Sequence, residues 1–324
     1  MKKIMTFLAV CLLSTFSTGN LYGQDMATAT DLYNAGAKAL SENNYVAATE
    51  SFGKALTMLK VMGAEERGQE GESLMKEAKS ILPQIYLRYG KELASQGDLD
   101  NSMGQLNKAV QVAKEYKVDG VEAIEEEVST LMPQLLMANA SNLLNSGNLA
   151  KAIAEFNKVI AMDSLNKDAY LRIGIAQSKM NDEDAALAAF EKAAELGEEL
   201  NAPKQIANIY LKKSAAAVKT KNWKEVYENA KKSNEYSASS NGYKLLGLSG
   251  VQLKKYNEAI ASIDSYLLAS PNAKDKNSML YNLATSYEAK GDNSKACGYY
   301  KQLLNDPKFK AMAEYKVKTQ LKCN

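Results

Sequence analysis

Residues 133–160 read PQLLMANASNLLNSGNLAKAIAEFNKVI, and the spacing of small and large residues in this stretch decides the fold. Leu136, Ala140 and Leu143 fall on one face of a first helix, Gly147-Asn148 interrupts it, and Ala152, Phe156 and Val159 form the same kind of stripe on a second. Small residues let two helices cross closely, and a large one fills the space that is left. The same frame continues downstream with Tyr170, Gly174, Ala186, Phe190 and Ala193. Upstream it appears as Tyr86, Gly90, Leu93, Gly97-Asp98, Ser102, Leu106 and Ala109, and again as Ala29, Leu32, Gly36, Ala39, Tyr45, Ala48, Phe52 and Ala55. Three further copies run through Tyr210, Ser214, Ala217, Trp223, Val226 and Ala230; through Tyr243, Gly247, Gly250, Tyr256 and Ala259; and through Leu280, Ala284, Tyr287, Gly291-Asp292, Ala296 and Tyr300.

Composition agrees. The 324 residues include five prolines and nineteen glycines, too little punctuation for a many-stranded sheet, and no histidine. Lack of histidine removes the usual Ser-His and Cys-His nucleophile pairs and most zinc sites, so catalysis is disfavoured and no metal or cofactor is expected.

A large residue at position 4, small ones at 8 and 20 and an aromatic at 24 resemble the tetratricopeptide repeat. That resemblance implies an all-α, right-handed superhelical solenoid of about seven helix-turn-helix units closed by a C-terminal capping helix. Repeat starts near 29, 83, 133, 167, 207, 240 and 277 are 54, 50, 34, 40, 33 and 37 residues apart, so the first half carries extra helical turns. Leu74–Gln84 and Ile124–Gln134 read as those extra turns, with Pro83 and Pro133 starting or kinking the helix that follows. Gly63, Gly68 and Gly71, with acids and Arg67 between them, read as an exposed loop. Phe309, Met312, Ala313, Val317 and Leu321 make the stripe of the cap helix, with Lys308, Lys310, Lys316, Lys318 and Lys322 on its wet face.

Lys2 and Lys3 followed by the apolar Ile4–Phe16 and small-residue exits read as a secretory leader, with cleavage favoured after Gly23 and next after Gly19. The organisation expected is therefore a leader at 1–23, repeats with extended helices at 24–132, and repeats plus cap at 133–324, in one array. Export places the protein in the periplasm, with secretion or lipid attachment at Cys11 as lesser alternatives. Removing the leader takes two lysines and no acid, leaving 38 cations against 38 anions. No basic stripe for nucleic acid and no membrane span remain.

Glu125-Glu126-Glu127 reads as a solvated face and Asn181-Asp182-Glu183-Asp184 as a helix cap, rather than as catalytic or metal-binding carboxylates. Gly247 and Gly250 read as packing residues, and Tyr45, Trp223, Tyr256, Tyr287 and Tyr300 as core. Cys297 occupies position 21 of the last repeat, facing the cap helix. An antiparallel cap brings Cys323 near it, giving a disulfide; the other reading is a buried Cys297 with a free terminal thiol.

By the resemblance, positions 2, 5, 6, 9, 12 and 13 of each first helix line a concave groove, and positions 2, 5 and 6 carry the candidate residues. These are Gln84, Gln134, Asn208 and Asn241; Tyr33, Leu87, Met137, Leu171, Leu211, Lys244 and Tyr281; and Asn34, Arg88, Arg172, Lys212 and Asn282. The carboxylate-holding set of chaperone-type members is absent. An apolar groove with amides and a few cations suits an extended or helical peptide. The expected function is a non-catalytic protein-interaction scaffold of the cell envelope with a protein or peptide partner. Carbohydrate or small-ligand capture is the alternative and requires exposed aromatic pairs; an α-helical glycan-active enzyme ranks third.

Overall fold

The computed structural model describes residues 21–323, with side chains from Asp25 onward. The leader's basic head, its apolar stretch and Cys11 lie outside the described residues, and the Gly23/Gln24 junction falls in the first turn of the first helix. Among the described residues the secondary structure is entirely helical. Seven hairpins follow one another: α1 (Leu21–Ser41) with α2 (Tyr45–Val61), α3 (Ala64–Ser95) with α4 (Leu99–Tyr116), α5 (Val121–Asn145) with α6 (Leu149–Met162), α7 (Lys167–Lys179) with α8 (Glu183–Glu195), α9 (Asn201–Lys219) with α10 (Trp223–Tyr236), α11 (Ser240–Gln252) with α12 (Tyr256–Ala269), and α13 (Lys276–Ala289) with α14 (Asn293–Gln302). A short α15 (Lys310–Tyr315) runs into a π-helical turn, Lys316–Gln320. The chain divides into two compact units, Met1–Asn139 and Ala140–Asn324.

One contact recurs inside the hairpins. A Cβ placed on Gly36, Gly90, Gly174 or Gly247 would meet the side chain sixteen residues later, at 2.9 Å from Phe52, 2.8 Å from Leu106, 2.6 Å from Phe190 and 2.6 Å from Ile263. Position 24 thus packs on position 8 of its own repeat, and it also fills the space toward the next one: Phe52 clusters with Leu82 and Ile85 of α3, and Phe190 with Ile206 and Ile209 of α9. Where one position carries serine, the hydroxyl ties the pair together: Ser102 Oγ donates to the Gly90 carbonyl and Ser214 Oγ to that of Val226, both at 2.8 Å and buried.

The turns between paired helices are equally regular. Asn43, Gly97, Gly147, Asn181, Lys221, Lys254 and Gly291 all have positive φ. In each case the next N–H donates to the carbonyl five residues back, as from Asp98 to Leu93 at 3.0 Å and Asp292 to Tyr287 at 2.9 Å. This left-handed stop satisfies orphan carbonyls of the first helix. The same residue begins the second helix: side chains of Asn44, Asp98, Asp182, Asn222 and Asp292 each accept from the backbone N–H three residues on. The carboxylate run at 182–184 is accordingly a cap.

Two sequence expectations are corrected. The glycine-rich segment at 63–71 is helical: α3 begins at Ala64, and its helical dihedrals break at Gly68 (φ 56°, ψ −167°), not at Pro83, which sits within the helix. Arg67 explains why charge is concentrated there. Its guanidinium donates to the carbonyls of Leu59 and Met62 at 2.9 and 2.6 Å, closing the end of α2. On the solvated face of α5, Glu126 is exposed, and Glu125 and Glu127, with 38% and 39% of their side chains exposed, pair across the surface with Lys114 and Lys91 of the preceding hairpin. Lys316, expected on the wet face of the cap, turns inward to Glu288.

The cap is held three ways. Ala313 and Val317 are buried against Leu280, Leu283, Tyr300 and Leu303. Glu288 accepts from Lys316 Nζ at 2.7 Å, the Tyr300 hydroxyl at 2.7 Å and the Gln320 amide at 2.8 Å. Cys297 and Cys323 form a disulfide with Cα atoms 5.7 Å apart. Burial alone pushes the Glu288 carboxyl up, but those three donors and the Lys316 charge outweigh it and hold the group below the ordinary range.

Three outcomes follow from these contacts. Gly174→Ala should cost about 1–3 kcal/mol through overpacking against Phe190, whereas Gly298→Ala in α14, whose added Cβ meets nothing within 4 Å, should gain about 0.5–1 kcal/mol; urea midpoints read both. Because the Glu288 pKa is depressed, its contribution is complete above the unfolded value of about 4.3 and lost as pH falls through the folded one. Glu288→Gln should therefore lower stability by about 1–3 kcal/mol at pH 7 and by progressively less as the pH falls below the unfolded value, and a pH-independent gap would contradict this assignment. Reducing the disulfide should cost about 3 kcal/mol, measured as the fall in urea midpoint with dithiothreitol.

Candidate functional site

In the first unit, the first helices of two successive repeats enclose a cavity of about 390 Å³ lined by Tyr33 and Leu40 of α1 and Glu77, Ser80, Ile81, Gln84, Ile85 and Arg88 of α3. It brings together three of the expected groove residues: Tyr33, Gln84 and Arg88. The Tyr33 ring meets Phe52 edge-on, 5.1 Å between centroids, and its hydroxyl donates to Glu77 Oε2 at 2.8 Å. Burial and the Glu77 carboxylate push this phenol up to about 12, so it stays protonated as a fixed donor. Ser73 Oγ also donates to Glu77, at 3.1 Å.

Gln84 and Arg88 differ from this pair. Both are exposed, they stand one helical turn apart, and among the described residues neither side chain has a hydrogen bond or ion pair. A guanidinium offers two parallel N–H donors to a carboxylate. A glutamine amide offers a donor and an acceptor to an extended backbone. The wall thus has a fixed half, Tyr33 with Glu77, and an uncommitted half.

Glu77, Ser80 and Ile81 belong to the extra helical turns that lead into the second repeat. A helical-period signal was present: 77, 80–81, 84–85 and 88 recur on one face of α3.

Other expected groove residues are placed differently. Leu87 is buried at 5% exposure and points into the core, which removes it from the groove. Asn34 is exposed on α1, Met137 is half-buried on α5, and exposed Gln134 donates its amide to the Thr130 carbonyl at 3.4 Å. In the second unit, Leu171 packs against a core cluster with Phe190 and Ile206, while Arg172 and Leu211 are half-buried and Asn208 and Asn241 exposed. Lys212 pairs with Glu183 at 2.6 Å. Lys244 pairs with Asp275 at 2.6 Å, which also accepts the Tyr266 hydroxyl at 2.6 Å. Burial disfavours the Asp275 carboxylate, yet these two donors hold it below the ordinary range. Tyr281 stacks on Phe309 just ahead of α15, centroids 5.3 Å apart, and Asn282 is half-buried. The second unit's lysines at these positions are therefore already engaged.

Aromatic pairs, not found in the sequence, do exist. Tyr45–Tyr89, Tyr210–Tyr236 and Tyr287–Tyr299 are stacked at 5.6–6.1 Å. Their faces are turned to one another, and Lys232 and Lys295 stand over Tyr210 and Tyr287. Among the described residues no group of three or more His, Cys, Asp or Glu gathers as a metal would require, and no helix is long and apolar enough to cross a membrane.

Two segments, residues 137–200 and 278–308, match family models of the tetratricopeptide repeat. With the seven hairpins, these matches define the class: an all-α fold of tetratricopeptide type. No curated protein matches the sequence. Similar solved structures include YrrB, a tetratricopeptide-repeat protein with an unusual peptide-binding site, at 19% identity and TM-score 0.35, covering 61% of this chain and 96% of that one. MamA AMB-1 is similar at 19% identity and TM-score 0.36, covering 53% and 90%. MamA from Desulfovibrio magneticus RS-1 is similar at 17% identity and TM-score 0.31, covering 53% and 93%.

Proposed function

We propose that the chain is an exported, non-catalytic scaffold that holds a peptide segment of a partner protein between α1 and α3. The observation that carries this reading is the cavity in which Arg88 and Gln84 stand uncommitted beside the fixed Tyr33–Glu77 pair. A segment bound there presents a carboxylate to Arg88 and backbone amide groups to Gln84, with an apolar side chain against Leu40, Ile81 and Ile85.

Export is supported by the basic and apolar leader and by the Cys297–Cys323 bond, which persists in an oxidising compartment. A mature chain of balanced charge favours a protein partner over nucleic acid. The aromatic pairs favour structural roles over sugar capture, because their faces are already stacked.

Affinity capture from an extract of the source cell tests the reading, comparing the mature chain with an R88E/Q84A variant. At least one protein should be retained by the wild type and depleted about tenfold or more by the variant, the loss of one charge-assisted pair, while the thermal midpoint stays unchanged. An identical retained set, or none with either chain, would contradict it.

A further inference from the structure

A second opening in the first unit belongs to other faces of the same helices. Between α2 and α4 lies a cleft of about 630 Å³, well within the size range of built ligand sites. Its floor is Leu32, Met58, Leu82, Tyr86 and Val112; Thr49, Gly53 and Thr57 with the Glu50–Lys54 pair form one wall, and Lys108, Glu115 and Tyr116 the other. α3 contributes Leu82 and Tyr86 here but Ile81, Gln84, Ile85 and Arg88 to the cavity described above, so the two openings use different sides of that helix.

Three features of the lining are unexplained by the fold. Tyr86 and Tyr116 are half-buried, yet among the described residues neither hydroxyl has a hydrogen-bond partner; burial, then the neighbouring Tyr116, pushes the Tyr86 phenol up. Neither hydroxyl is among the fully buried unpaired polar atoms, so both stand open as donors that an occupant's carbonyls can use. Gly53 sits in the middle of α2, where glycine costs about 0.5–1 kcal/mol relative to alanine, and an added Cβ would meet nothing within 4 Å. No helix crossing requires glycine there. Finally, Lys108 has no carboxylate partner among the described residues, only a 3.5 Å reach to Gln111, whereas Glu50 is paired with Lys54 at 2.6 Å and Glu115 with Lys60 at 3.8 Å.

The cleft has a direction. Past Thr57 and Met58 it adjoins a recess of about 310 Å³ lined by Val61 and Met62 with Asp25 and Glu66. Asp25 and Glu66 lie at that end; within the cleft Glu50 and Glu115 are each held by a lysine, and Lys108, toward the other end, is the lining cation without a carboxylate partner among the described residues. Thr49 to Thr57 spans about 12 Å along α2, the reach of roughly four extended residues.

We propose that the cleft between α2 and α4 is a second peptide site, taking a short extended segment of a partner protein in which apolar residues are followed by one acidic side chain. The acidic group goes to Lys108, the apolar residues cover Leu32, Met58 and Val112, and the backbone carbonyls accept from Tyr86 and Tyr116. Gly53 leaves room for the segment's main chain. With both sites filled, the first unit links two segments.

The test uses two pools of N-acetylated, C-amidated hexapeptides with randomised apolar positions, one ending in Glu and the other in Gln, so that the side-chain carboxylate is the only charge. Retention is read by affinity selection and mass spectrometry on the mature chain carrying R88E and Q84A, which disables the site between α1 and α3. The Glu pool should be retained at least tenfold over the Gln pool. Adding Lys108→Glu should abolish that preference. Adding Gly53→Leu should abolish retention with an unchanged or raised urea midpoint, since an added Cβ meets nothing within 4 Å and leucine favours the helix. Equal retention of both pools, no retention of either, or full retention by Gly53→Leu would overturn the proposal. Retention by the unsubstituted chain but not by the R88E/Q84A chain would place the peptides between α1 and α3, leaving the scaffold reading standing without a second site.

Discussion

The interaction on which the remainder depends is the packing of one large side chain on one very small residue sixteen positions earlier. Where Phe190 meets Gly174 there is no room for even a methyl group, so the two helices of a repeat approach as closely as backbones allow. That approach sets the hairpin's crossing and, with the short left-handed turn, its register. Once positions 8, 20 and 24 are consumed in this way, a few positions on the other side of the first helices, Gln84 and Arg88 among them, are left without a structural task. An uncommitted strip of surface is thus a by-product of how the hairpin closes.

The repeat was legible in the sequence because this constraint is local and periodic. A missing side chain at position 8 and a ring or branched chain at 24 leave a signature that needs no knowledge of distant contacts. Even the turns were readable, since Gly97-Asp98 and Gly291-Asp292 combine a left-handed stop with a helix start. Contacts set by non-periodic residues were not. Whether Gly63 to Gly71 forms a loop or a helix depends on Arg67 reaching back to the carbonyls at the end of α2. The inward turn of Lys316 depends on Glu288 twenty-eight residues earlier. Nothing in the spacing of charges reveals such partners.

The expected groove was half legible for the same reason. Tyr33, Gln84 and Arg88 share a cavity because the repeat frame aims them alike. The frame does not say which cations are already spent, and Lys212 and Lys244 are held by Glu183 and Asp275. Leu87 lies in the same frame but is buried. The extra turns of α3 account for this local difference: they bring Glu77 beside Tyr33 and add Ser80 and Ile81 to the wall, enlarging a strip of surface into a cavity. The spacing of 54 residues between the first two repeats is visible in the sequence, and its consequence is the cavity between α1 and α3.

The most direct measurement is photo-crosslinking with benzoylphenylalanine placed at Gln84, inside the cavity, and separately at the exposed Lys151 of α6. Both chains would be expressed with the native leader and irradiated in the source cell, and adducts identified by mass spectrometry. A partner peptide held between α1 and α3 predicts a discrete covalent adduct at position 84 and none at 151. Adducts of equal yield at both positions, or at 151 alone, would contradict it.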